Sequence, residues 1–198
     1  MKLAGLIGWM YGVMAMFLVA APTGMDVVDA ARSQVGVTKS YDPAYVVLKY
    51  PGGDVPKETG VCTDVVVRAF RVLGQDLQKL VHEDMRANFK KYPQNWKLKR
   101  ADRNIDHRRV PNLMRFFKRK GFSLKVTDSA KNYKPGDVVA WNLGGGILHV
   151  GIVSDRIDSE KVPLILHNIG SGAREESLLF DYKIIGHYRY QFPDIEDD

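Results

Sequence analysis

The spacing of apolar residues in this chain changes period at Lys134, and that change sets its fold class. Before it the spacing is helical. Residues Val27 to Val35 predict a first helix with Asp26 as N-cap and Gly36 near its end. Val61 to Leu73 predict a second, because Val61, Val65, Val66, Ala69, Phe70, Val72 and Leu73 recur at helical spacing. Two more helices are predicted over Gln75 to Lys91 and Val110 to Lys120, the latter with Pro111 in its first turn and Gly121 just past its end. After Lys134, Pro135-Gly136 is a turn, and GDVVAW, LHVGIVSD, VPLILHNI and YKIIGHYRY are short strands, with Gly144-Gly145-Gly146 as a tight turn between the first two. Short strands on short loops predict an antiparallel sheet, and helices followed by strands make an α+β chain, not a doubly wound one.

Cys62, the only cysteine, opens the second predicted helix. A free thiol with a pKa of about 8.5 attacks poorly at neutral pH, so a nucleophilic cysteine needs a helix N-terminus or an imidazolium to lower that value. Cys62 is placed for both, with Gly60 permitting a sharp turn before it. The competing reading is a small buried core residue. Period-2 spacing puts His149, Gly151 and Val153 on one face of their strand, and His167 on a face with Ile165 and Ile169. If the two strands are antiparallel neighbours, His149 and His167 lie side by side, and His167 or Asn168 would orient His149 as the third member of a nucleophile–base–orienter set. The alternative is two satisfied structural histidines.

The first residues run Met1-Lys2 and then LAGLIGWMYGVMAMFLVAA, a pattern similar to a secretory signal over residues 1–24, with cleavage expected after Ala20 or Gly24. The same stretch is long enough to be an uncleaved N-terminal anchor. Either way the remainder is expected outside the cytoplasm, in the periplasm or cell envelope. A lone cysteine there is buried or reactive, and the count excludes an internal disulfide, a four-cysteine zinc site and a thioredoxin-like pair. Residues 25–198 suffice for one domain. The formal charge of +6 favours anionic polymers such as cell-wall glycan or teichoic and lipid phosphates. Nucleic acid is not expected, since KKYPQNWKLKR matches no recognition motif and reads as solvated surface.

The motifs SYDPAYVVLKYPGGDVP, GVCTDVV, HEDM, NIDHRRVPNL, GDVVAW, HVGIVSD, HNIG and GHYRY, spread from Ser40 to Tyr190, resemble the exported bacterial family catalogued as domain of unknown function 1287. The cysteine at a helix start and the later histidine-bearing strands resemble, more broadly, the NlpC-type cell-wall peptidases of the papain-like superfamily. The resemblance implies a helical lobe against a small antiparallel sheet, with Cys62 as nucleophile, His149 as general base and then acid, and His167 as orienter. Tyr50, before Gly52-Gly53, would by the same resemblance help line the oxyanion site. The usual Asp-Cys-Ser-Gly reads Val-Cys-Thr-Asp here, which puts Asp64 near the nucleophile. A basic helical insert at about 75–131, absent from the smallest NlpC domains, is expected to cover or shape the cleft.

The implied reaction is amide hydrolysis through a thioester, with peptidoglycan stem peptides as substrate and no cofactor. Arg108 and Arg109 could pair with a substrate carboxylate, or else with Asp102 or Asp106. Three other readings stay open: a non-catalytic wall-binding module of the same fold, a thiol amidase or acyltransferase acting on another envelope substrate, and a metal site drawn from His82, Asp84, Asp106 and His107. The spacing of the last four matches no known motif, so no metal is expected.

Overall fold

A computed structural model describes residues 20–193; most of the predicted leader lies outside the described residues. The first helix, α1 (Gly24–Arg32), starts earlier than its apolar pattern. Its N-cap is Thr23, and Asp26 is the third helical residue, whose carboxylate accepts from the Thr23 N–H at 2.7 Å. This is a capping box, in which hydrogen bonding outweighs hydrophobic period in setting the boundary. Two short strands, β1 (Ser40–Tyr41) and β2 (Thr59–Gly60), pair in parallel and deliver the chain to α2 (Cys62–Val72). Then come α3 (Leu77–Ala87), capped by Asp76, and α4 (Val110–Arg119).

The remaining strands form one antiparallel sheet: β3 (Val138–Asn142), β4 (Leu148–Ile157), β5 (Pro163–His167), β6 (Arg174–Glu176) and β7 (Lys183–Tyr188), in the order β6-β5-β4-β3-β7. The fold is α+β, a helical lobe packed on a small antiparallel sheet. Strand alternation divides the interior in two. Val138, Ala140, Val150, Ile152 and Leu166 face α2, where Cys62, Val65, Val66, Ala69 and Phe70 meet them. On the opposite face Val139, Trp141, Val153 and Ile165 are covered by Tyr133, Leu178 and Leu179, and the Trp141 indole donates to the Leu179 carbonyl at 2.9 Å.

The stretch 75–131 contributes to the main core through Leu77 and Val81 of α3 and Leu113, Phe116 and Phe117 of α4. One expectation needs correcting. Gly60 makes no left-handed turn; it lies in β2, and its missing side chain admits Asp64 and Arg68, which a Cβ would meet at 3.1 and 3.3 Å. Arg68 then fans its guanidinium onto the carbonyls of Val55, Pro56 and Thr59, fastening to α2 the loop that precedes Cys62. Among the described residues no helix is long and apolar enough to cross a membrane.

Candidate active site

Cys62 is the first residue of α2 and is 3% exposed. Its thiol rests against β4, where the Val150 N–H reaches it, and the Thr63 N–H and Tyr41 hydroxyl also approach. These donors favour a thiolate, but burial outweighs them and the Asp64 charge adds to it, so the pKa is pushed up to about 11. The resting group is a thiol, contrary to the lowered pKa expected of a helix start. The helix dipole acts within the first turn, whereas desolvation acts on the charged form wholesale.

Beside Val150 stands His149. Its Nε2 lies 2.9 Å from Nδ1 of His167, and both rings are buried. Gly151 makes the pairing feasible: a Cβ there would sit 2.6 Å from Ile165 Cγ2 and 3.1 Å from His167 Cβ, so only glycine lets β5 close on β4 at this point. The antiparallel register, Ile152 opposite Leu166 and Val153 opposite Ile165, then places the two histidines diagonally on one face. Burial and the neighbouring His167 pull the His149 pKa down to about 3, so the ring is neutral at physiological pH. His167 in turn faces Glu176, whose Oε1 is 3.1 Å from Nε2, although the approach misses the ring N–H direction and makes an ion-pair contact rather than an aligned hydrogen bond. No hydrogen bond joins Cys62 to His149 in this state. The thiol lies toward the Val150 side of β4 and the ring on the other, with Nε2 committed to His167.

A cleft of about 350 Å³ opens at Cys62, lined among others by Tyr41, Trp96, Arg108, Arg109, Pro111 and Leu148. Asn95 and Trp96 come from the basic stretch read as solvated surface, and they form part of the cleft wall instead. Tyr41, not Tyr50, is the tyrosine at the thiol. Tyr50 points to α3, with its hydroxyl 3.5 Å from Glu83 and its ring edge-on to His82. The segment carrying it is anchored there by Gly52 N–H to Asp76 and Gly53 N–H to Gln78.

Asp64 and Arg108 are each other's partners. The Asp64 carboxylate accepts from the Val61 N–H at 2.7 Å, satisfying one orphan donor of α2, and from Arg108 at 3.0 Å. Arg108 also donates to the carbonyls of Ala44 and Asp42, so it pairs with neither Asp102 nor Asp106 and has no fork left for a ligand. Asn168 does not reach His149; its amide donates to the carbonyls of Ser40 and Gly60, clasping the β1–β2 bridge to the sheet two residues before Cys62. The weighed metal set is dispersed. Asp84 is held by Arg119 and Tyr92, His82 Nδ1 stays 3.7 Å from Asp106, and among the described residues no three such side chains are placed to hold an ion.

Sequence reasoning passed over Tyr41, Trp96, Arg68 and Glu176. Tyr41 and Trp96 stand inside stretches the sequence singles out, SYDPAYVVLKYPGGDVP and KKYPQNWKLKR, but nothing local marks which aromatic faces the thiol.

The family model described as Domain of unknown function (DUF1287) matches residues 28–190. The uncharacterized protein YijF of Escherichia coli (strain K12) is 55% identical over 172 residues, which cover 87% of this chain and 84% of that protein. Among solved structures, NlpC1 from Trichomonas vaginalis aligns with a TM-score of 0.45 at 13% identity over 91% of this chain and 48% of that one, so the chain spans about half of its length. With most of its residues under the family model and a relative of this identity, the chain belongs to the DUF1287 family.

Proposed function

We propose that the chain is an exported thiol hydrolase that cleaves an amide bond in peptidoglycan stem peptides. One observation carries the reading: the lone thiol sits on the first turn of a helix, against β4 at the residue next to a hydrogen-bonded His149–His167 pair. The leader pattern and the resemblance of the motifs to NlpC-type peptidases supply the compartment and the substrate.

In this mechanism His149 uses Nδ1, since Nε2 is engaged by His167. In the resting state the ring lies on the face of β4 turned away from the thiol, so this mechanism requires His149 to swing to Cys62 when substrate binds. Because the resting thiol and imidazole are both uncharged, His149 removes the Cys62 proton as sulfur attacks the carbonyl, acting as a general base and not as half of a preformed ion pair. The tetrahedral oxyanion then meets the Thr63 N–H at the helix start and the Tyr41 hydroxyl. The imidazolium hands its proton to the leaving amine, which departs and leaves a thioester. Water deprotonated by His149 adds to the thioester, and release of the acid restores the thiol. His167 holds the ring, and Glu176 steadies the imidazolium through His167.

Digestion of purified sacculi by the protein and by Cys62→Ala, with muropeptides identified by mass spectrometry, tests this. New fragments from the wild type alone are expected. Identical profiles on walls of several chemistries, with the thiol confirmed reduced, would overturn it in favour of a wall-binding module or a different envelope amide.

A further inference from the structure

The cleft at Cys62 contains two arginines whose circumstances differ. Arg108 is saturated by Asp64 and two carbonyls. Arg109, its neighbour in sequence, has no hydrogen bond from its side chain and no acidic group within ion-pair distance among the described residues. Its guanidinium lies 4.1 Å over the Trp96 ring, and its Nη1 is buried without a partner. Stacking on an aromatic face fixes the guanidinium plane and leaves its in-plane N–H edge for a second planar group. Among the described residues no carboxylate lines the cleft, whose other titratable groups are the thiol, Tyr41 and the already paired Arg108. A half-buried cation that lines a concave site and has unmade hydrogen bonds is complementary to an anion with two acceptors.

We infer that Arg109, held flat by Trp96, is the subsite for a free carboxylate of the substrate, so that the cleft takes peptides carrying a carboxylate near the scissile amide in preference to their amidated forms. This rests on the hydrolase reading above for the identity of the peptide, but not for the existence of the anion subsite. The 350 Å³ cleft lies at the small end of ligand pockets, which suits a short peptide segment rather than a glycan strand.

The test uses a peptidoglycan stem tetrapeptide with its α-carboxylates free and the same peptide with them converted to carboxamides. Calorimetric titration into Cys62→Ala should give affinity about 10- to 100-fold tighter for the carboxylate form, the range expected of a charge-assisted hydrogen bond. That ratio should fall to near one in Cys62→Ala with Arg109→Gln, and should shrink in Cys62→Ala with Trp96→Ala, which keeps the cation but removes its platform. Circular dichroism melts on each variant confirm folding. Equal binding of the two peptides, failure of the carboxylate form to bind, or a preference that survives Arg109→Gln would overturn the subsite. Preferential binding without turnover by the wild type would instead retain the subsite and remove the hydrolase reading.

Discussion

Two histidine clusters lie on the sheet face turned away from α2, and they are built differently. In one, His187 Nε2 is 2.7 Å from the buried Asp137 carboxylate, which also accepts from the Lys134 N–H at 2.8 Å and twice from Arg189, while Tyr133 stacks on the ring at 4.3 Å. Every strong acceptor there has a charged or backbone donor. In the other, His149 bonds only to a second imidazole, and the carboxylate at the end of the chain, Glu176, is 41% exposed and off the hydrogen-bond axis. A histidine locked to a buried carboxylate and an arginine contributes to holding β3 and β7 together. A histidine bonded only to another imidazole, one residue along β4 from the Val150 that meets the thiol, keeps a nitrogen able to take and return a proton.

Substitution should separate the two. His149→Ala is expected to lower turnover of sacculi about 10³-fold, in the range of a lost general base, while Asp137→Ala should cost about 3 kcal/mol in a urea unfolding curve because it strands His187 and the Asp137-facing side of Arg189. If His149→Ala is fully active, or Asp137→Ala is no less stable than wild type, the distinction between the clusters collapses.

The pH dependence of stability sharpens it further. His149 is held neutral, with its folded pKa near 3 against an ordinary 6.5. The unfolded chain therefore binds more protons between those values, and stability falls as pH drops below about 6.5, by up to ~1.4 kcal/mol per pH unit for each such proton. His107, likewise pulled down to about 3 by burial, adds to the slope. Asp137 has a lowered pKa, so its contribution is present above about 3.8 and is lost only below it. Unfolding curves from pH 7 to pH 4 should be flatter for His149→Gln than for wild type. A slope unchanged by that variant would show that His149 is not the buried neutral group.

The smallest effect is expected at Glu176. Glu176→Gln removes the charge facing His167 but leaves the His149–His167 hydrogen bond, so a few-fold loss of turnover with a shifted acid limb of the pH–rate profile is expected. A loss as large as that of His149→Ala would make Glu176 indispensable, and an unmoved profile would remove it from the relay.

Much of this architecture is legible in the residues because it is local. The period of Val61 to Leu73 and the alternation in LHVGIVSD are properties of a few adjacent turns or residues, and they placed α2 and β4 correctly. Pro111 and Gly121 bracket α4 for the same reason, since each acts on its own backbone dihedrals. The 93–109 connection was harder to read. Arg108 is buried there in a single turn of 3-10 helix because the distant Asp64 pairs with it, while Asp106 Oδ1 and His107 Nδ1 beside it are buried without a partner. Nothing in their immediate neighbours announces that.

The order of helices and strands, the lone cysteine at a helix start and the two histidines on strand faces all follow from composition and spacing, whose physical basis lies in backbone geometry and side-chain period. Folding in three dimensions decided which tyrosine meets the thiol, which arginine is spent on Asp64 and which remains unpaired, and whether the thiol or the thiolate is the resting form. Those outcomes depend on burial and on contacts between residues tens of positions apart, and desolvation, the largest influence on Cys62, exists only once the helical lobe closes on the sheet.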